Sequence, residues 1–413
     1  MKVDRAKRSG LGRFLAAAVA AIAVCVTAAP TATADVATPV PVARKEVYNY
    51  TWFNTKADKD MHGGVSGHVR RLIDAASPGA TLSLTLYFFN RQEIVDALAR
   101  AAARSVTVRV VIDGGQTTAK HAQYQALKKI PTIKVVECGK HNPDTKSTAC
   151  MGTRTGPSPL RNAPLMHNKF MTVSQVHLAG GGTASDIVYV SSANLDYYSA
   201  YENALTVSDA GIYRAYLGYF NDLLGYGKRG NDNYGKTISA GPHSLYTFPR
   251  RESGRNPGNA TNDPIVSILR GTTCSGGTRI DLANFRIQRA AVVDELKAAS
   301  KRGCQVRIVT GAKSGAPHDA GEPMVALVAL ARALPVHMCS IDKGGIPMHE
   351  KFMIVRRGTQ STLYTGSQNL TYQALRQNDE NILALRNHPL NTPFQQRFDS
   401  HFATCVAWTP GPR

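Results

Sequence analysis

The sequence is short of acidic residues, of long apolar runs and of metal-ligand cysteine spacing, and each shortage narrows its function. Only 29 Asp and Glu stand against 49 Lys and Arg in 413 residues, a formal charge of +20 at pH 7. That balance favours anionic partners: a phospholipid headgroup, a nucleic-acid backbone or a phosphate-containing wall polymer. General adhesion to anionic surfaces is the plainer reading. One apolar run, 14–29, lies near the start and is short for a membrane span, and no later stretch qualifies. The cysteines show no zinc-type spacing, so no metal site is expected. Nor is there a clustered basic stripe interleaved with aromatics, of the kind that tracks a single nucleic-acid strand.

What is present begins with an export signal. Lys2, Arg5, Lys7, Arg8 and Arg13 form a basic head, the run 14–29 an apolar middle, and Ala32-Thr33-Ala34 a small-residue cleavage site. Residues 1–34 therefore read as a secretory signal peptide, and the expected location is secreted, extracellular. Five basic residues and one acidic residue fall in that segment, so the remainder still carries +16. Residues 35–46, rich in Pro, Ala and Val, read as a flexible leader. Six cysteines remain, an even number that suits disulfides in an exported protein, although six allow fifteen pairings. Cys138–Cys150 would close the loop before the first motif described below. Cys274 and Cys304 each precede a predicted strand and meet at one sheet edge if those strands are parallel neighbours. Cys339–Cys405 follows by elimination.

The rest of the chain repeats itself. Periodicity predicts a strand over 81–89, a helix over 92–104 and a strand over 106–113, a β-α-β unit that implies parallel pairing. A helix over 121–129 and a strand over 132–137 follow, then strands over 187–191 and 204–207 and an amphipathic helix over 212–224. A stretch rich in Gly, Asn, Arg and Pro, 225–263, marks the junction between halves. Beyond it, 279–285 answers 82–89, the helix over 290–302 answers the one from 92, and Val306-Arg307-Ile308-Val309 answers Val108-Arg109-Val110-Val111. A helix over 389–406 closes the chain. The polar segment 139–165, with Lys140, Lys146, Arg154 and Arg161, reads either as a rim over the site or as a surface excursion stapled by Cys138–Cys150.

Each half holds one copy of a short motif: Met166-His167-Asn168-Lys169-Phe170-Met171-Thr172-Val173, and Met348-His349-Glu350-Lys351-Phe352-Met353-Ile354-Val355. Each copy is followed by Ser-x-Asn-Leu (Ser192 and Asn194, Ser367 and Asn369) and then by a Glu-Asn pair, Glu202–Asn203 and Glu380–Asn381. On a strand, Phe170, Phe352 and Ile354 point one way while the His and Lys of each copy share the other face. An imidazole and an ammonium side by side suit a phosphate: the lysine holds its oxygens, and the histidine attacks phosphorus or passes a proton. Ser and Asn add hydrogen bonds to the same oxygens, and a carboxylate on the second ring nitrogen fixes the tautomer. Two such sets suit a double displacement. Two unrelated structural histidines would not share the flanking run or the trailing residues.

These residues resemble the phospholipase D superfamily, whose signature is a paired His-x-Lys-x4-Asp followed by Gly-Ser-x-x-Asn or a close variant. The resemblance spans most of the chain after the signal segment. It implies two similar α/β sandwich halves related by a pseudo-twofold, here 47–235 and 236–413, with the active site at their interface. It also implies a metal-independent phosphodiesterase that works through a phosphohistidine and needs no cofactor. It carries over His167, Lys169, His349 and Lys351 as catalytic, with Glu202 and Glu380 orienting the histidines. Asn194, Asn369, Ser192 and Ser367 carry over as phosphate-binding residues. His167 is the nucleophile and His349 the general acid/base by the same resemblance. The sequence departs from the signature twice: five residues after each lysine, where the family has Asp, stand Ser174 and Arg356. Asp186 is a candidate stand-in for the first.

The leading expectation is thus a secreted, phospholipase D-like hydrolase or transferase of phospholipid headgroups, a monomer with peripheral membrane contact. A nuclease of the same superfamily, acting on nucleic acid, is the alternative. A non-catalytic binder of anionic surfaces is the third.

Overall fold

The computed structural model describes residues 38–139, 146–155, 163–226, 230–253, 260–311, 323–339 and 346–410. The signal segment lies outside the described residues, as do 140–145 and 156–162 of the expected rim.

The first sheet comprises β1 (Tyr50–Phe53), β2 (Thr81–Leu86), β3 (Thr107–Ile112), β4 (Lys134–Glu137), β5 (Phe170–His177), β6 (Thr183–Ser191) and β7 (Asn203–Ser208), in the order β1-β7-β6-β5-β2-β3-β4. The second comprises β8 (Thr237–Ala240), β9 (His243–Thr247), β10 (Arg279–Asn284), β11 (Gln305–Thr310), β12 (Val336–Met338), β13 (Lys351–Arg357), β14 (Gln360–Gly366), β15 (Asn381–Arg386) and β16 (Val406–Ala407). Its order is β16-β12-β11-β10-β13-β14-β15-β9-β8. The predicted β-α-β units hold: β2, β3 and β4 are parallel, as are β10, β11 and β12. The motif strands β5 and β13 return antiparallel beside β2 and β10. The sheets therefore share one central order, β7-β6-β5-β2-β3-β4 against β15-β14-β13-β10-β11-β12.

Helix Gln92–Ala103 shows how the outer layers form. Ile94, Val95, Leu98 and Ala101 recur every three or four residues on one face and are all buried in the first outer core. The second half has its own outer core, with Val292, Val293 and Leu296 of helix Ala290–Lys301. A third core lies between the sheets. Phe170, Val188 and Val190 meet Phe352, Ile354 and Leu383 there, with Tyr216, Tyr219 and Phe220 of helix Ala210–Tyr226 and Phe394 and Phe398 of helix Asn391–Thr404. Each buried ring of this kind stabilises the fold by about 1.5–3 kcal/mol, so the middle core binds the halves together.

The halves also exchange like contacts. Met166 bridges Asp379 while Tyr201 bridges Met348. The His167 N–H donates to the Asp379 carbonyl (3.0 Å), and the His349 N–H to the Tyr201 carbonyl (2.9 Å). Such reciprocity is what a twofold relation produces.

The structure differs from the sequence reading in two places. Where a flexible leader over 35–46 is expected, residues 38–46 are anchored: Val42 is buried, Val40 and Val42 donate to the Asp74 and His177 carbonyls, and Glu46 bonds His68 and Arg71. The junction 225–263 contains the hairpin β8–β9, turned at Gly241 with φ +66° and paired to the edge of the second sheet. Its alternating Ile238 and Leu245 are masked in the sequence by glycine and asparagine around them. The two positions where the motif acid is missing are occupied by side chains that make their own backbone bonds. Ser174 itself anchors β5, accepting the Thr81 N–H at 2.9 Å, and the Arg356 Nε donates to the Gly358 carbonyl. The three expected disulfides, Cys138–Cys150, Cys274–Cys304 and Cys339–Cys405, are formed.

The described part of the segment before His167 is pinned to the other half. The N–H groups of Cys150, Met151 and Gly152 all donate to the Asp379 carboxylate, at 2.6, 3.1 and 3.3 Å. A side chain at Gly152 would meet the Gln377 carbonyl, only 1.7 Å from its Cβ position, so the close approach requires glycine.

Candidate active site

Each motif histidine enters from the start of a central strand and is held by the carboxylate of the opposite half. His167 Nδ1 lies 2.9 Å from Glu380 Oε2, and His349 Nδ1 lies 2.5 Å from Glu202 Oε1. The expected acids thus act crosswise: Glu202 serves His349, and Glu380 serves His167. Ser192 donates to Glu202 and Ser367 to Glu380, both at 2.5 Å. These serines fix the carboxylates, a role different from the expected phosphate contact. With Nδ1 committed to a glutamate, each ring keeps Nε2 for chemistry. Both histidines and both glutamates are buried, His167 and His349 at 7 and 8 % exposure.

Lys169 and Lys351 are buried beside them, and each Nζ donates back to the carbonyl of its own motif histidine, at 2.7 Å for Lys169 to His167. Asn194 lines a small pocket with Lys169, and the carboxamide oxygens of both Asn194 and Asn369 are buried without a hydrogen-bond partner. The geometry therefore brings the motif residues of both halves to one place.

Sequence reasoning missed several neighbours. Tyr87 packs edge-on against His167 at 4.8 Å and lies under Lys169 at 4.9 Å; Phe285 repeats this against His349 at 4.6 Å and Lys351 at 5.6 Å. Both stand one residue beyond equivalent strands, β2 and β10, so aligning the halves residue by residue would have found them. Asp113, at the end of β3, accepts the Met166 N–H at 2.9 Å and so sets the entry to the first motif. His62 is wholly buried near Glu202, and nothing in its sequence surroundings marks it.

The charges in the cleft are unequal between halves. Burial pushes Lys169 down to about 7 and Lys351 down to about 8, against the pull of the glutamates. Burial also brings His349 down to about 4, opposed by Glu202, and pushes His167 well below its ordinary value with the help of both lysines. For Glu202, burial is outweighed by His349, Lys351 and His62, and the carboxyl falls to about 2. For Glu380, burial wins over Lys169, Ser367 and Asn378, and the carboxyl rises to about 8. A phosphate anion among the lysines would favour their charged forms and reverse part of this suppression.

Paired His-Lys strands at the seam of two matching α/β halves are the arrangement of the phospholipase D superfamily. The family described as cardiolipin synthase, PLD-like domain, matches residues 69–224 and 272–402, and the chain belongs to that family, within the phospholipase D superfamily. Among solved structures, phosphatidylserine synthase from Haemophilus influenzae superposes with a TM-score of 0.58 at 13% identity, over 89% of this chain and 88% of that one. Polyphosphate kinase from Porphyromonas gingivalis superposes with a TM-score of 0.55 at 16% identity, over 85% of this chain but only 50% of the kinase. The chain thus spans about half the length of that kinase, and at these identities the likeness is one of fold. No curated protein sequence matches the chain.

Proposed function

We propose that the protein is an exported phosphodiesterase that releases or exchanges the headgroup alcohol of a phospholipid. The crossed dyads His167–Glu380 and His349–Glu202, with two buried lysines between them, are the observation that carries this reading. His167 Nε2 attacks phosphorus in line, and the bond from phosphorus to the leaving oxygen breaks. His349 Nε2 gives its proton to that oxygen, so the alcohol departs neutral. The phosphoryl group, now bonded to His167, is then attacked by water or a second alcohol, whose proton returns to His349, and His167 is freed. Lys169 and Lys351 stabilise the charge that gathers on the non-bridging oxygens. The crossed carboxylates support the roles: Glu380 on His167 Nδ1 turns the Nε2 lone pair of that ring to phosphorus, and Glu202 on His349 Nδ1 stabilises the imidazolium form from which Nε2 gives up its proton.

Three exposed aromatics support a lipid surface as the source of substrate. Phe88, Tyr197 and Tyr198 are 43, 60 and 45 % exposed. Tyr198 packs against His349, and Phe88 adjoins Tyr87, so apolar surface borders the cleft. A nucleic-acid strand is the second reading, favoured by the charge of +16 left after the signal segment. A panel of phospholipid vesicles and single- and double-stranded DNA, with headgroup release followed by phosphorus NMR and the His167→Ala protein as control, separates the two. Headgroup release without nicking is expected; nicking without headgroup release overturns the lipid reading.

A further inference from the structure

His62 lies outside both motifs, yet it stands behind one of the two dyads. Its ring is fully buried, and its Nδ1 lies 2.7 Å from Asp196 Oδ1. Its Nε2 makes no hydrogen bond and points toward Glu202 Oε1 at 3.7 Å, an ion-pair distance. That oxygen is the one that holds His349 Nδ1. Asp196, His62, Glu202 and His349 therefore form one file of alternating acids and imidazoles.

The other half lacks this device. The free oxygen of Glu380 is met at 3.2 Å by the Asn378 carboxamide, a neutral donor. An imidazole behind Glu202 and an amide behind Glu380 make the matched dyads unequal.

We propose that His62 is a positioning residue: held by Asp196, it keeps Glu202 a pure acceptor of the His349 Nδ1–H, so that the ring can carry a second proton on Nε2 and give that proton to the leaving group. This rests on the reading of the site as a phosphodiesterase. The role predicts a dependence on leaving group that a structural role does not. An alkanol needs a proton as it departs; a nitrophenolate does not.

The test compares the full-length exported protein with His62→Gln and with Asp196→Asn, which leaves the ring in place. Turnover is measured on a phosphodiester with an alkanol leaving group and on its 4-nitrophenyl counterpart, and folding is checked by thermal melting. The ratio of alkyl-ester to aryl-ester turnover should fall about tenfold in His62→Gln and less in Asp196→Asn. An unchanged ratio in both variants, whatever the absolute rates, overturns the proposal and leaves the phosphodiesterase reading standing. A wild-type protein that turns over neither ester overturns both. If His62→Gln does not fold, an unchanged ratio in Asp196→Asn is the overturning result.

Discussion

The two halves carry the same motif on the same strand order, and they differ most in what surrounds it. In the first half, Asp113 at the end of β3 accepts the Met166 N–H. At the matching end of β11 stands Gly311, where a Cβ would sit 1.9 Å from the Met348 carbonyl. One half ties its motif with a carboxylate; the other lets the motif backbone press against a bare one. The acids differ too, since Glu202 is held at about 2 and Glu380 is raised to about 8. Duplication supplies two copies of one motif. Their surroundings have diverged, which is what the proposed division of tasks between the histidines requires.

The comparison can be broken most sharply at the histidines. His167→Ala and His349→Ala should each lower turnover by about 10⁴-fold or more, but through different steps. With a 4-nitrophenyl ester, the His349→Ala protein should still form a phosphoenzyme and the His167→Ala protein none, as read by rapid quench with labelled substrate. Neutralising the lysines comes next. Lys169→Met and Lys351→Met should each cost about 10²–10³-fold in kcat, measured at saturating substrate.

The glutamates sharpen the comparison further. Glu202 acts as a carboxylate, so Glu202→Gln should lower kcat by about 10²-fold. Glu380 already retains a proton near neutrality, and glutamine resembles that form, so Glu380→Gln should cost only about tenfold. Equal losses in paired kinetics would remove the asymmetry. Asp379 gives the smallest effect. Burial holds its carboxyl up at about 8, against an ordinary 3.8, so between those values the folded chain binds a proton that the unfolded chain has lost. Stability from this residue therefore falls as pH rises toward 8. In Asp379→Asn the slope of Tm against pH over that window should tilt upward relative to the wild type, as measured by calorimetry.

Legibility in the sequence followed periodicity and repetition. The β-α-β units, the motif strands and the helix Ala210–Tyr226 were readable because their apolar spacing is regular and occurs twice. The hairpin β8–β9 was not, since its strands are short and embedded among turn-forming residues. The motif His, Lys, Ser, Asn and Glu were visible as recurring letters, and the structure brings the His, Lys, Ser and Glu of both halves together. Their crossed pairing was invisible, because it depends on how two sheets face each other over more than 140 intervening residues, as between Glu202 and His349. His62 and Asp379 belong to no motif: packing within the first half sets His62 against Asp196 and Glu202, and packing of one half on the other sets Asp379 against Cys150, Met151 and Gly152.

The central claim is that one phosphoryl group passes through a site whose two histidines do different work. Rapid quench with a phosphorus-labelled substrate, followed by peptide mapping of the labelled protein, tests it directly. The account predicts label on the peptide carrying His167 and on no other. Label on His349, or on both histidines alike, would contradict it.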